Sequence, residues 1–444
     1  MELLLSLSNF QIGILSIFTI LTLIYAGMHV AIALALTSFL GVWLIRGNWA
    51  ISMKMLSLTA ADSVSSYIFG VVPLFVLMGL LVSVSDIGKD MFDVANRAFR
   101  RVKGGLGVAT VAANAVFAAV TGISIASAAV FTKVAVPEMI RLGYKPRFAV
   151  GVVTGSSVLG MLIPPSLMLI LFGVLTETSI GDLFTAGILP GLLLSACFII
   201  YIIFVSYRYP HRVMENPDAP IDTGEEMGFA MAVWKMAPIV LLIMLVLGGI
   251  YAGWFTPTES GAVGALGALL IAMGKRRISR SMLWEVLNET GHTTVSVLFL
   301  IISANMYGRM LALSGVTQSL GTWIGQSGLE MYPLIGIYIL VILLMGTILD
   351  SSSILMIIVP LVYPVMMSMN FNPVWFGLIT VLAVEVGLIT PPLGIAAYVV
   401  KSTLDDQRIG LNDVFRGAFP FVCIMVFVLA IIVFFPEITL VLID

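Results

Sequence analysis

Apolar residues run along this chain in long stretches instead of alternating with polar ones. Stretches near the ~20 residues that a helix needs to cross a bilayer fall at roughly 7–27, 29–45, 67–86, 148–172, 186–207, 230–252, 259–274, 292–312, 374–398 and 417–435. Two more, about 106–136 and 333–363, are apolar at both ends but carry small and polar residues near the middle, "TGISIAS" (121–127) and "GTILDSSS" (346–353). Two of the spans also contain consecutive prolines, Pro164-Pro165 and Pro391-Pro392. Proline removes a backbone donor and clashes with the preceding turn, so each pair predicts a broken helix. An unpaired backbone group in hydrocarbon costs several kcal/mol. Such a break therefore needs protein, water or a bound ion to satisfy it.

Composition sharpens this picture. The 444 residues are 60% hydrophobic and 10% charged, with a mean hydropathy of +1.10, against about 25% charged in a soluble domain. The chain reads as an all-α polytopic membrane protein. A net charge of −2, with no basic patch interleaved with aromatics, gives no sign of nucleic-acid binding. The N-terminus has no basic n-region and no small-residue cleavage site, so Leu3 to Gly27 is expected to stay as a first span. Cys197 and Cys423 lie in apolar runs, where small-residue packing is the expectation instead of a disulfide. His29, His211 and His292 are isolated, and no phosphate-binding loop is present. Redox, metalloprotease and ATPase readings fall away, and so does an enzyme.

The basic residues orient the spans. Lys89, Arg97, Arg100, Arg101 and Lys103 share one loop; Arg141, Lys145 and Arg147 a second; Arg208 and Arg212 a third; Lys275, Arg276, Arg277 and Arg280 a fourth; Lys401, Arg408 and Arg416 a fifth. Loops 173–185, 253–258 and 313–331 have none. The positive-inside rule makes the five basic loops cytoplasmic, with Arg46 and Lys54 as exceptions. Segment 106–136 then enters and leaves by the cytoplasmic face as a re-entrant hairpin, and 333–363 by the opposite face. Both termini come out periplasmic.

The two halves repeat. At a shift of about 224, "PLFVLMG" (73–79) falls on "VLFLIIS" (297–303) and "TGISIASAA" (121–129) on "GTILDSSSI" (346–354). "LGMLIPPS" (159–166) falls on "VGLITPPL" (386–393). Each half holds five spans and one hairpin, and that odd number of crossings inverts the second half. The expected organisation is repeat one at 1–215, a cytoplasmic linker at 216–229 and inverted repeat two at 230–444. Segments 46–66 and 275–291 correspond as interfacial arm helices. Inverted repeats with broken helices are the build of secondary transporters, whose sites lie near the midplane.

The candidate chemistry collects at the hairpins and breaks. The first hairpin tip offers Gly122, Ser124 and Ser127, and its partner break offers Gly160, Ile163, Pro165 and Ser166. The second tip offers Gly346, Asp350, Ser351, Ser352 and Ser353, facing Gly387, Thr390 and Leu393. Carbonyls and hydroxyls suit sodium, a hard cation, so these residues other than Asp350, Ser352 and Ser353 form the candidate sodium set, with Ser124 also a substrate candidate. Any one serine is better explained by helix packing; two related constellations favour a site. Arg309 and Asp350 are charges at membrane depth. They pair with each other, or Arg309 snorkels to the outer interface, or Arg309 binds a substrate carboxylate while Asp350 tunes the site. Glu385, beside the second break, is a weaker candidate that either supports the site indirectly or faces water. "FTPTES" (255–260) reads as a capping box for the next span.

"PLFVLMG", "GISIASAAV", "PEMIRLGY" (137–144), "GSSVLGMLIPPS" and "FTPTESGAVGA" together resemble the large membrane subunit, DctM type, of tripartite ATP-independent periplasmic (TRAP) transporters. The resemblance covers essentially the whole chain. It implies an elevator-type, sodium-coupled importer in the ion-transporter superfamily, placed in the bacterial inner membrane. A periplasmic substrate-binding protein would deliver an organic acid such as a dicarboxylate, a sugar acid or a sulfonate. A small four-helix membrane subunit would stiffen the scaffold. The family's sodium pattern falls on Ser124 and Ser127 with the first break, and on Gly346 with Thr390 around the second. Arg309 and Asp350 match positions resembling its substrate-site charges. With no extra N-terminal spans the chain is expected to be unfused and to need the small subunit as a separate partner. No cofactor is implied beyond sodium as coupling ion. The alternative is a stand-alone sodium/carboxylate carrier of the same superfamily that needs no binding protein.

Overall fold

A computed structural model describes residues 7–216, 228–328, 330–404, 406 and 408–443. Most of the linker expected at 216–229 lies outside the described residues. Helices make up nearly everything else, and no strand occurs among the described residues beyond one isolated bridge between Tyr144 and Met214. Among the described residues seven helical stretches are long and apolar enough to cross a membrane: Tyr67–Val84, Pro146–Thr176, Ile180–Arg208, Phe229–Tyr251, Arg280–Ser314, Ser351–Ser368 and Leu411–Phe434. Asn9–Tyr25, Val30–Arg46, Gly105–Thr121, Met331–Gly346 and Pro373–Ile389 are shorter apolar helices.

Both expected hairpins are helix–turn–helix units. The first joins Gly105–Thr121 to Ser124–Arg141, and the second joins Met331–Gly346 to Ser351–Ser368. Both expected breaks are present as well. The first span runs Pro146–Ser157 and Leu159–Leu162, opens at 163–166 and resumes as Leu167–Thr176; the second runs Pro373–Ile389 and resumes as Ile395–Thr403. The two Pro-Pro bonds are cis.

Burial separates the centre from the periphery. The most apolar stretch of Pro146–Thr176 is 89% buried and that of Phe229–Tyr251 only 22%, so the broken span lies inside while the other faces outward. Close helix crossings depend on glycine. A Cβ on Gly151 would sit 2.3 Å from the Gly417 carbonyl oxygen, so Pro146–Ser157 and Leu411–Phe434 touch backbone to backbone.

At the outer helices, ion pairs and caps replace apolar packing. Lys235 on Phe229–Ile243 lies 2.6 Å from Asp93 and 3.2 Å from Asp90 on Ile87–Phe99, and Lys275 bonds to Asp90 as well. "FTPTES" is the capping box expected: the Thr256 hydroxyl accepts from the Glu259 N–H, and the Glu259 carboxylate accepts from the Thr256 N–H. A π-helical segment at Met244–Gly248 shifts the backbone register, and Ser260 Oγ donates to the Val246 carbonyl there at 2.7 Å.

Two details differ from expectation. The first arm is a separate helix, Trp49–Ser65, capped by the Asn48 side chain. The second arm is no separate element: from Arg280 it continues through the following span as one 35-residue helix to Ser314. At 1.5 Å per residue that is roughly 50 Å, well beyond the ~30 Å of a hydrocarbon core. Gly291 weakens a helix without stopping it, and no proline interrupts the run. Second, Cys423 is exposed on an outward helix face, whereas Cys197 is half-buried and packs against the core as expected.

Candidate functional site

The first tip packs directly onto the first break. Gly122 closes Gly105–Thr121 at φ +64°, and a Cβ there would lie 2.6 Å from the Pro165 carbonyl oxygen. The Gly122 carbonyl accepts from the Leu167 N–H at 3.1 Å, which satisfies one backbone donor freed by the break. Gly160 approaches the Ile123–Ser124 peptide, with a Cβ position 3.0 Å from Ser124 N. Ile163 leaves the helix in an extended conformation, and its side chain packs on Gly191. Ser166 restarts it: its hydroxyl accepts from the Leu169 N–H at 3.3 Å and donates to the Met161 carbonyl. One turn into the return helix, Ser127 Oγ is buried with no hydrogen-bond partner.

The second tip repeats the contact with different residues. A Cβ on Gly387 would lie 2.7 Å from Gly346 Cα, so hairpin and broken span meet at bare backbone. The Thr347 carbonyl accepts from the Leu393 N–H at 3.1 Å, the counterpart of the Gly122–Leu167 bond near the same shift of about 224. Thr390 ends Pro373–Ile389 in an extended conformation, its hydroxyl donating to the Val386 carbonyl at 2.7 Å. Leu393 is exposed.

Glu385 joins the two tips. It is fully buried on the second broken span, and its carboxylate accepts from Ser124 Oγ at 2.7 Å and from Ser351 Oγ at 3.4 Å. Ser124 and Ser351 are the first residues of the two return helices, Ser124–Arg141 and Ser351–Ser368. Two helix N-termini thus converge on one carboxylate, each carrying about half a positive charge. Among the described residues no lysine, arginine or histidine forms an ion pair with Glu385.

Arg309 and Asp350 stand apart from this cluster and from each other. Asp350 caps Ser351–Ser368, accepting from the Ser353 N–H at 3.1 Å and from the Ser353 hydroxyl. Arg309 Nη2 instead reaches Asp62 Oδ2, 3.0 Å away at the end of the first arm. Arg309 and Asp62 line a cavity of about 1060 Å³ with Ser63, Asn305, Thr178 and Tyr363. Its walls come from the first arm, the loop after the first broken span, "FTPTES" and the return helix of the second hairpin. These loops belong to the face expected to carry no basic cluster.

The structure therefore brings Gly122, Ser124, Ser127, Gly160, Pro165 and Ser166 into one locale and Gly346, Ser351, Gly387 and Thr390 into another, with Glu385 between the tips. Asp62 and Asn305, the neighbours of Arg309, carried no signal in the sequence. Glu385 did carry one, a carboxylate inside an apolar span, but nothing local to it told that serines from both hairpins would meet it.

Comparison with known proteins places this architecture. The family model described as "Tripartite ATP-independent periplasmic transporter, DctM component" matches residues 17–438. The chain is 32% identical over 392 residues, 88% of its length and 89% of the relative's, to the C4-dicarboxylate TRAP transporter large permease protein DctM of Pseudomonas aeruginosa. It is 30% identical over 432 residues, 96% of its length and 97% of the relative's, to the sialic acid TRAP transporter large permease protein SiaM of Vibrio cholerae. In fold it is similar to the YdaH transporter of Alcanivorax borkumensis, at a TM-score of 0.59 and 14% identity, covering 86% of this chain and 88% of that one. With a family model matched over nearly its full length, and relatives that are transporter permeases and not enzymes, the chain belongs to the DctM component, the large permease, of the tripartite ATP-independent periplasmic transporters.

Proposed function

We propose that this permease imports an organic acid in symport with sodium, receiving it from a periplasmic binding protein and working with a small four-helix membrane subunit. The observation that carries the reading is Glu385, a buried carboxylate held by one serine from each hairpin tip with no cationic partner among the described residues. Taking a net charge through the membrane costs about 2.3 kcal/mol per 100 mV, besides its desolvation. A monovalent cation entering with the site cancels that charge. The unpartnered Ser127 hydroxyl at the first tip and the carbonyls of the breaks supply hard neutral oxygens.

In this reading the hairpins and broken spans are the moving block of an elevator. Spans 7–86 and 230–312 form its fixed frame. Sodium orders the tips, the acid then binds, and the block slides inward. Arg309 receives the acid's carboxylate in the outer cavity, which displaces Asp62. The relatives' C4-dicarboxylate and sialic acid bring carboxylates of quite different size to this site, and selection by size falls to the binding protein. Membership of a tripartite family weighs against the stand-alone carrier.

The test is uptake of labelled dicarboxylates and sugar acids into proteoliposomes, with or without an inward sodium gradient. Each condition is run with and without the binding protein and small subunit. Uptake should require sodium and both partners. Full uptake by this chain alone, or uptake indifferent to sodium, contradicts the proposal.

A further inference from the structure

A second cavity, of about 750 Å³, lies at the opposite end of the spans from Arg309. Its walls come from the start of the first broken span (Lys145, Arg147), the end of Ile180–Arg208, the short helix Pro210–Val213 and the start of Leu411–Phe434 (Arg416). Lys145, Arg147, Arg212 and Arg416 line it together with His211, and among the described residues no acidic one does. None of these five forms an ion pair with a carboxylate among the described residues.

The site is built as well as charged. The Lys145 N–H donates to the Val213 carbonyl at 2.8 Å, which fixes the short helix against the broken span. The Arg212 guanidinium lies 4.9 Å from the centre of the Tyr209 ring, and Arg147 Nη2 donates to the Arg416 carbonyl at 3.3 Å. Like charges that line one recess repel unless an anion joins them, and arginine's planar fork matches phosphate oxygens. The flank is apolar: Phe204 and Pro420 line the cavity, and Ile200 and Phe419, on the same two helices, are 64% and 65% exposed. A basic recess above outward-facing apolar surface at the end of membrane spans fits a phosphate joined to acyl chains better than a free ion.

We propose that this cavity binds the phosphate headgroup of an anionic phospholipid, with the acyl chains lying along the Phe204 and Phe419 faces. Because the recess spans the first broken span, Ile180–Arg208 and Leu411–Phe434, its occupant ties these three elements together at one membrane surface.

Native mass spectrometry of the delipidated full chain tests this with phosphatidylglycerol, phosphatidylcholine and inorganic phosphate as probes. Wild type should retain one phosphatidylglycerol in preference to phosphatidylcholine by about tenfold, and Arg147→Gln/Arg212→Gln/Arg416→Gln should lose about that preference. Arg276→Gln/Arg280→Gln, in another basic loop, should keep it, and inorganic phosphate should not displace the lipid. The charge-preserving Arg147→Lys/Arg212→Lys/Arg416→Lys guards against misfolding and should retain at least part of the preference. Unchanged binding by the Gln triple variant, or equal loss in the control variant, overturns the site. Displacement by inorganic phosphate overturns the lipid and leaves a soluble anion in its place.

Discussion

Glu385→Gln should abolish the sodium dependence of uptake and lower sodium-driven uptake by about tenfold or more, a change worth at least 1.4 kcal/mol. Glutamine keeps the volume of the buried side chain, and Ser124 Oγ, now 2.7 Å from the carboxylate, retains an acceptor. What it removes is the negative charge between the two return helices. Without that charge a cation entering the site would travel as net positive instead of completing a neutral unit, so the coupling fails while the fold persists. The unfolding midpoint of the variant should stay close to that of wild type, since breaking a buried pair is destabilising chiefly when it strands a charge and here none is stranded. Wild-type uptake with intact sodium dependence in Glu385→Gln would remove this carboxylate from the coupling.

The second large effect is steric. Gly387→Ala places a methyl only 2.7 Å from Gly346 Cα, well inside van der Waals contact. The obstacle is backbone on both sides, so no side chain can rotate away, and the second hairpin must shift off the broken span. Overpacking of this kind costs about 1–3 kcal/mol, enough to lower transport about tenfold to a hundredfold if the displaced tip is the coupling element. Gly325→Ala is the control, since nothing lies within 4 Å of its added Cβ and it sits on the helix Val316–Ser327. It should leave uptake unchanged. Equal uptake in Gly387→Ala and Gly325→Ala would mean that the closeness of tip and break has no part in transport.

Much of the architecture was legible because the membrane makes local sequence decisive. A twenty-residue apolar run has few options in hydrocarbon, and two adjacent prolines cannot be accommodated in a continuous helix. The hairpin turns at Gly122 and after Gly346, the breaks at Pro164-Pro165 and Pro391-Pro392, and the Thr256–Glu259 cap all follow from residues within one turn of each other. The second arm was misread because amphipathic character at 275–291 says nothing about where the helix ends, and only a stop signal could have separated it from the span after it. The partners of the charges were not legible at all. Ser124 lies 261 residues from Glu385, and Asp62 lies 247 from Arg309. Membrane depth alone does not choose among the three readings of Arg309 and Asp350; the structure removes their pairing, since capping occupies the Asp350 carboxylate and Arg309 reaches Asp62.

The most direct test of the central claim is titration calorimetry of the purified permease with sodium, potassium and choline chloride at matched ionic strength. The account predicts saturable heat with sodium only, lost in Glu385→Gln and weakened in Ser127→Ala. Identical heats with potassium and sodium, or a sodium response unchanged in both variants, would contradict a sodium site between the two hairpin tips.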